Sequence, residues 1–345
     1  MNNILVSGGA GFIGSNFIEF YLENNKQDKI INLDLLNYAG SLENTASFSD
    51  NENYTFIKGD ICDELLVKQI LKDYNINIIV NFAAQSHVDN SIKNPYVFVQ
   101  TNINGTFNLL HNAYSFWFES PFKIKKDYKK HLFYHISTDE VFGTLGESGY
   151  FSENSPYAPN SPYSASKASS DMLVRAYHHT YGLKAVISNC SNNYGEKQHD
   201  EKLIPTIIRK ALKGENIPIY GDGKNVRDWL YVKDHCKAIF EILKYGLSEN
   251  FGFDTFNIGT NEEYKNIDLA LKICEILDEI KAKDKSYKEQ ITFVQDRFGH
   301  DKRYAIDASK IKRILNFKPS KSFDENLLHT VKYYIQRCEA VWKKY

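Results

Sequence analysis

The chain has 345 residues, 42% of them hydrophobic, with 42 Lys plus Arg against 43 Asp plus Glu and a formal net charge of −1. That length and apolar content support a large buried core and argue against a disordered chain or a repeat array. The balanced charge offers no overall field toward nucleic acid or a membrane surface, so neither is expected as a partner and an anionic ligand must be held locally.

Five cysteines, Cys62, Cys190, Cys236, Cys274 and Cys338, are scattered without C-x-x-C spacing, which argues against a disulfide framework and a zinc site; no metal is expected. The start, "MNNILVSGG", enters a short apolar strand without a basic leader. No stretch reaches the ~20 apolar residues that span a bilayer. A cytoplasmic location is the expectation.

In chain order, "NILVS", the helical stretch from Phe12, "KIINLD", "YTFIKGD", "ELLVKQILKDY", "NIIVNFAA", "HLFYHIST" and "KAVISNC" alternate strand-like and helix-like runs. Ile- and Val-rich strands separated by amphipathic helices predict right-handed crossovers and an α/β fold, a doubly wound Rossmann-type parallel sheet. Beyond Asn192 the alternation weakens through "EKLIPTIIRKALKG", "IPIYGDGKNVRDW" and "NIDLALKICEILDEIKA", which predicts a smaller, irregular α/β lobe at the C-terminal side. The expected division is a nucleotide-binding domain over 1–191, with 228–256 returning to it, and a substrate-binding lobe from 192–227 and 257–345.

"GGAGFIG" carries Gly8, Gly9, Gly11 and Gly14 between the first strand and the first helix, with Phe12 and Ile13 between the last two glycines. Such a turn lets a pyrophosphate approach the backbone and sit on a helix N-terminus. Asp34, twenty positions after Gly14, can accept from a ribose diol and would repel a 2′-phosphate, so NAD is predicted rather than NADP. The segment Leu35, Leu36 and Asn37 follows it. Two later strand ends extend the predicted cofactor site: "GDI", with Asp60 and Ile61, at the adenine, and "NFAAQS", with Phe82, Ala83, Ala84, Gln85 and Ser86, at the ribose and nicotinamide. Thr101 and Asn193 complete that set.

Tyr163 and Lys167 in "YSASK" are four apart, on one helix face. A phenol titrates near ~10 and needs a neighbouring cation to act as a base at neutral pH. Lys167 can be that cation and can also reach a cofactor ribose.

"GGAGFIG", "YSASK" and the strand-end Ser137 and Thr138 resemble the extended short-chain dehydrogenase/reductase family. More narrowly, "STDEVFG", "YAPNSPYSASKASSDMLVRAYHHTYG", "NCSNNYG", "EKLIP", "PIYG", "RDWLYV" and "DRFGHDKRYAID" resemble the dTDP-glucose 4,6-dehydratases, from Ile4 to about Tyr334. The resemblance implies an NAD-dependent hydro-lyase: oxidation at sugar carbon 4, loss of water across carbons 5 and 6, and return of hydride to carbon 6. It implies Tyr163 with Lys167 as the base for the 4-hydroxyl, Thr138 on the same oxygen, Glu140 as the base at carbon 5 and Asp139 as the acid for the departing 6-hydroxyl. Around the nucleotide sugar it implies Ser86, Thr138, Asn192, Lys202, Leu203, Pro218, Ile219, Tyr220, Arg227, Asn266, Asp296, Arg297, Phe298, Gly299 and His300, with Tyr220 stacking on the base and Arg227 and Arg297 on the diphosphate.

Gln85, Asn90 and Phe298 stand where that family usually has Glu, Arg and Pro, which leaves a different nucleotide hexose open as substrate. A nucleotide-sugar 4-epimerase would not need Asp139 and Glu140. The resemblance also implies a homodimer, formed by helices around Val97 to Ala113 and Tyr163 to Tyr181, with Leu173, Val174 and Tyr177 as apolar material.

Overall fold

The computed structural model describes residues 1–296 and 301–342. Seven strands form one parallel sheet: β1 (Asn3–Ser7), β2 (Lys29–Asp34), β3 (Tyr54–Lys58), β4 (Ile78–Asn81), β5 (Leu132–Thr138), β6 (Ala185–Cys190) and β7 (Phe253–Ile258), in the order β7-β6-β5-β4-β1-β2-β3. The pleat sends Ile4, Val6, Ile78 and Val80 to one face, against Phe17 and Ile18 of α1 (Phe12–Asn24). Leu5, Ile79 and Phe133 point to the other face. There they meet Val67 of α2 (Glu64–Asp73), Leu109 of α3 (Thr106–Trp117) and Val174 of α4 (Pro162–Tyr181). Two-sided burial is why these strands read as continuous Ile/Val runs, each buried aliphatic side chain contributing about 1.5–3 kcal/mol.

From β1 the chain winds outward through β2 and β3, then crosses back to β4 on the other side of β1. The reversal between β1 and β4 opens a crevice at the carboxyl ends of the strands, where an open α/β sheet takes its ligand. Every strand-end segment singled out in the sequence faces that edge.

The chain leaves the sheet after β6. Val226–Tyr231 pairs parallel with Asn192–Tyr194 and antiparallel with Glu263–Lys265, while Ile217–Tyr220 pairs with Ile291–Val294. The return to the sheet runs from Val232 through α5 (Val232–Gly246), packed on α1, to Ile258 at the end of β7. It begins later than the expected 228 because Asp228–Tyr231 belongs to the small three-stranded sheet. Among the described residues all five cysteines are free, and no helix is long and apolar enough to cross a membrane.

Candidate active site

Steric constraints dictate the glycine turn. Gly8 has φ +74, and a Cβ there would lie 2.7 Å from the Ala83 nitrogen, so the turn after β1 and the loop after β4 touch backbone to backbone. A Cβ on Gly14 would fall 2.4 Å from the Gly8 carbonyl oxygen. Gly11 caps α1 without any side chain, leaving first-turn N–H groups for an anion. Asp34, at the end of β2, accepts from the Ala10 nitrogen at 2.9 Å and the Leu36 nitrogen at 2.8 Å; burial raises its pKa. On the other side, Asn102 in the π-helix Val99–Gly105 accepts from the Gln85 nitrogen at 2.8 Å, donates to its carbonyl at 3.0 Å, and reaches the Ser166 hydroxyl at 2.8 Å. The loop over the crevice is thereby tied to α4.

Helix α4 begins with a reciprocal Ser161–Ser164 capping box and a proline in its first turn, and ends at left-handed Gly182. A cap of this kind contributes ~1 kcal/mol and fixes where the first turns, with Tyr163 and Lys167, begin. The Lys167 ammonium donates to the Ile136 carbonyl at 2.8 Å and lies 3.2 Å from His135 Nε2. Burial pushes its pKa down to about 8, with Asp171 pulling the other way. Burial pushes the Tyr163 phenol well above its ordinary range, with the Glu140 carboxylate adding to the rise and a hydrogen bond with Thr138 opposing it.

Thr138 ends β5 and caps the short helix Asp139–Phe142; its Oγ1 accepts from the Glu140 nitrogen at 3.3 Å and donates to Asp139 Oδ1 at 3.3 Å. Asp139 is 2% exposed, and its Oδ2 has no partner among the described residues. Burial holds its carboxyl well above the usual range, reinforced by Glu140 and Asp228 and opposed by Arg227. Burial thus favours the protonated form of one carboxyl beside a second, more accessible one, the kind of environment that can separate an acid from a base.

One cleft of about 1540 Å³, mouth included, joins both halves of the site. Its wall contains Gly8, Gly11, Phe12, Ile13, Gly14, Asp34, Leu35, Asn37, Asp60, Ile61, Phe82, Ala83, Ala84, Ser86, Thr101 and Asn193 of the predicted cofactor set. It also contains Thr138, Asp139, Glu140, Tyr163, Lys167, Asn192 and Lys202. Leu36 and Gln85 stand behind it. Asn192, Gln198, Glu201, Ser191 and Asp139 all line the cleft with a buried side-chain oxygen that has no partner among the described residues. Orphaned polar atoms are costly in a folded chain, and here they converge on a space walled by glycine backbone, which fits a dinucleotide and a polyhydroxyl ligand.

Leu203, Pro218, Ile219, Tyr220, Arg227, Asn266 and Asp296 are outside that wall, in the small-sheet lobe. Leu203 opens the helix Leu203–Lys213 right after Lys202, and Tyr220 ends its strand beside the turn that approaches Asp296. Arg227 donates to the carbonyls of Val226 at 2.8 Å and Asp301 at 3.0 Å, with its guanidinium 4.4 Å from the Tyr304 ring centre. Asn266 keeps a buried Oδ1 with no partner among the described residues. Arg297, Phe298, Gly299 and His300 lie outside the described residues.

Sequence reasoning missed the buried layer behind Lys167. His135 Nε2 lies 3.4 Å from Asp171 Oδ1, and Asp171 Oδ2 accepts from Ser137 at 2.8 Å, Tyr157 at 2.9 Å and Asn189 at 3.3 Å. The available signal was the spacing of Asp171, one helical turn beyond Lys167. It also misplaced the apolar face of α4: Val174 and Tyr177 are buried within the chain, because that face packs on the sheet and α3, whereas Met172 is exposed.

The chain matches the family model described as GDP-mannose 4,6 dehydratase over residues 5–330. It is 49% identical to the dTDP-glucose 4,6-dehydratase of Shigella flexneri, covering 96% of this chain and 92% of that protein. Among solved structures, the dTDP-glucose 4,6-dehydratase of Bacillus anthracis in complex with NAD superposes with a TM-score of 0.84 at 42% identity, over 98% of each chain. That of Streptomyces venezuelae, with NAD and TYD bound, gives a TM-score of 0.86 at 40% identity, again over 98% of each. Asp139, Glu140, Tyr163 and Lys167 line one cleft with the glycine turn, the match runs over nearly the whole chain, and the chain belongs to the dTDP-glucose 4,6-dehydratase family.

Proposed function

We propose that the protein is an NAD-dependent hydro-lyase that converts dTDP-glucose to dTDP-4-keto-6-deoxyglucose and water. The observation that carries this is the turn after β5, which sets buried Asp139 and Glu140 side by side in the cleft that also holds Tyr163 and Lys167. An alcohol-bearing carbon does not give up its hydrogen as a proton; a carbon next to a ketone does. Bound NAD supplies the hydride chemistry, accepting from carbon 4 and returning to carbon 6. Its pyrophosphate belongs on the N-terminus of α1 and its adenosine ribose on Asp34.

Tyr163 takes the proton of the 4-hydroxyl while the Lys167 charge stabilises the phenolate, and Thr138 hydrogen-bonds the same oxygen. Glu140 removes the proton from carbon 5, and Asp139 gives its proton to the departing 6-hydroxyl. Glu140 then returns a proton to carbon 5. Asn192 and Lys202 take the sugar side of the cleft, while Tyr220, Arg227 and Asn266 in the outer lobe face the nucleotide. Residues 1–191 with 232–258 serve the cofactor, and the remainder the sugar nucleotide.

We further place the protein in the cytoplasm, with five free thiols, as a homodimer. Val99, Phe107 and Met172 support the dimer, three large apolar side chains exposed on the neighbouring helices 95–117 and α4. Incubation with dTDP-, UDP-, GDP- and CDP-glucose in heavy water, read by mass spectrometry, tests the reaction. Loss of water with gain of one deuterium from the dTDP substrate is expected. A different preferred base refutes the substrate, and isomerised sugar without water loss refutes the reaction.

A further inference from the structure

The reaction draws on one cofactor twice. Hydride taken from carbon 4 must be given back at carbon 6, so a reduced cofactor lost between the two steps carries the electrons away with it. A fresh NAD has no hydride to give, and the ketone intermediate is stranded. Redox balance therefore requires that the cleft hold its cofactor for longer than one turnover.

We infer that residues 195–202 form a strap that retains the cofactor through turnover, and that the ion pair between Lys197 and Glu19 is the bond that keeps it shut. The inference rests on the dehydratase reading above.

The strap runs from the end of the strand Asn192–Tyr194 to the start of the helix Leu203–Lys213, and Gln198, His199, Glu201 and Lys202 line the cleft from it. It is bonded to both banks. On one, Lys202 Nζ donates to the Ser86 carbonyl, in the loop after β4, at 3.0 Å. On the other, His199 meets Tyr38 edge to face with 5.6 Å between ring centres, and Tyr38 sits between Asn37 and Ala39 of the cleft wall. Tyr38 is 41% exposed and the His199 side chain 40%, so this contact is at the rim. Underneath, Asn16 of α1 donates to the Glu196 carbonyl at 3.0 Å. From the helix Phe323–Trp342, Tyr334 donates to the carbonyls of Gly195 at 3.2 Å and Gln198 at 2.7 Å. The strap thus crosses from the sugar side of the cleft to α1, on whose N-terminus the pyrophosphate belongs.

Lys197 is where the strap is held under constraint. Its φ is +69, a conformation that residues with a Cβ seldom adopt and that persists where the surroundings impose it. The surroundings here are both on the cofactor half: Nζ donates to Glu19 Oε2 on α1 at 2.8 Å and stands 5.5 Å from the ring centre of Phe48, in the segment after β2. The two charged side chains are 14% and 30% exposed, sheltered enough to attract and open enough for salt to weaken them.

Exchange of the bound cofactor, followed on the purified protein in excess isotopically heavy NAD by mass spectrometry, tests the strap without any sugar present. The native protein is expected to exchange more slowly than it turns over, and faster as salt is raised. Lys197→Ala removes the ion pair and the ring contact and is expected to exchange about tenfold faster. Glu19→Gln keeps the side chain's size and removes the charge, for about a fivefold gain. In both, the salt dependence should flatten, and Lys197→Arg should restore slow, salt-sensitive exchange. With dTDP-glucose added, the first turnover of Lys197→Ala should match the native one, while later activity decays as free NADH appears in the filtrate and recovers on addition of NAD. Native-rate exchange in both Lys197→Ala and Glu19→Gln overturns the strap, as does faster exchange whose salt dependence is unchanged. A native protein that releases no water from dTDP-glucose overturns the dehydratase reading instead, a result independent of the exchange rates.

Discussion

Replacing Asp171 by Asn removes one buried charge while keeping the side chain's size, and the result should appear as a moved pH limb. The Lys167 nitrogen is 3.2 Å from His135 Nε2, which is 3.4 Å from Asp171 Oδ1, so the two charges are at most about 6.6 Å apart. At an effective dielectric of about 20, their attraction is about 2.5 kcal/mol, or about 1.8 pH units. The amine already sits at about 8 because burial disfavours its charge. Without Asp171 it falls toward about 6.

Catalysis needs the charged amine, which is present below its pKa and lost as pH rises through it. At about pH 7 the charged fraction drops from about nine tenths to about one tenth, so kcat/KM should fall roughly tenfold. The deficit should shrink toward acid pH, and the alkaline limb of the kcat/KM profile should move down by between one and two units. Asn still offers an acceptor to Ser137, Tyr157 and Asn189, so the fold should survive. A uniform loss across the pH range, with the limb in its native place, would refute the electrostatic account and leave Asp171 a packing residue.

Asp139→Asn and Glu140→Gln should each lower turnover by about 10²–10⁴ while still permitting oxidation at carbon 4, so reduced cofactor should accumulate on the protein without water loss, read by absorbance and product mass; full turnover in either variant removes that residue from the mechanism. Gly14→Ala puts a Cβ 2.4 Å from the Gly8 carbonyl oxygen and 2.9 Å from Gly9 Cα, an overlap worth about 1–3 kcal/mol. The purified variant should carry less NAD and melt at a lower temperature. Phe107→Glu combined with Met172→Glu places charges on two exposed apolar positions and should give a monomer by sedimentation, with the secondary structure unchanged.

What the sequence determined by itself was everything set within a few residues along the chain. The glycine turn is legible because only a residue without Cβ survives at Gly8 and Gly14, and Asp34 because a strand of known length delivers it to the same edge. Tyr163 and Lys167 are legible because helical periodicity alone puts them on one face. Strand identities followed from Ile/Val runs, since two-sided burial leaves no polar alternation to misread.

Tertiary structure decided what depends on distance through space. Lys167 and Asp139 have ordinary side chains whose acidity is altered by burial, and burial comes from strands and loops dozens of residues away. His135 and Asp171 became part of the site only when β5 and α4 packed together. Val174 and Tyr177 turned inward because the sheet claimed that face, and Arg227 settled on the carbonyls of Val226 and Asp301 because the small sheet closed over it. Chemistry-bearing residues are local and readable, whereas the electrostatic field acting on them is a property of the packed molecule.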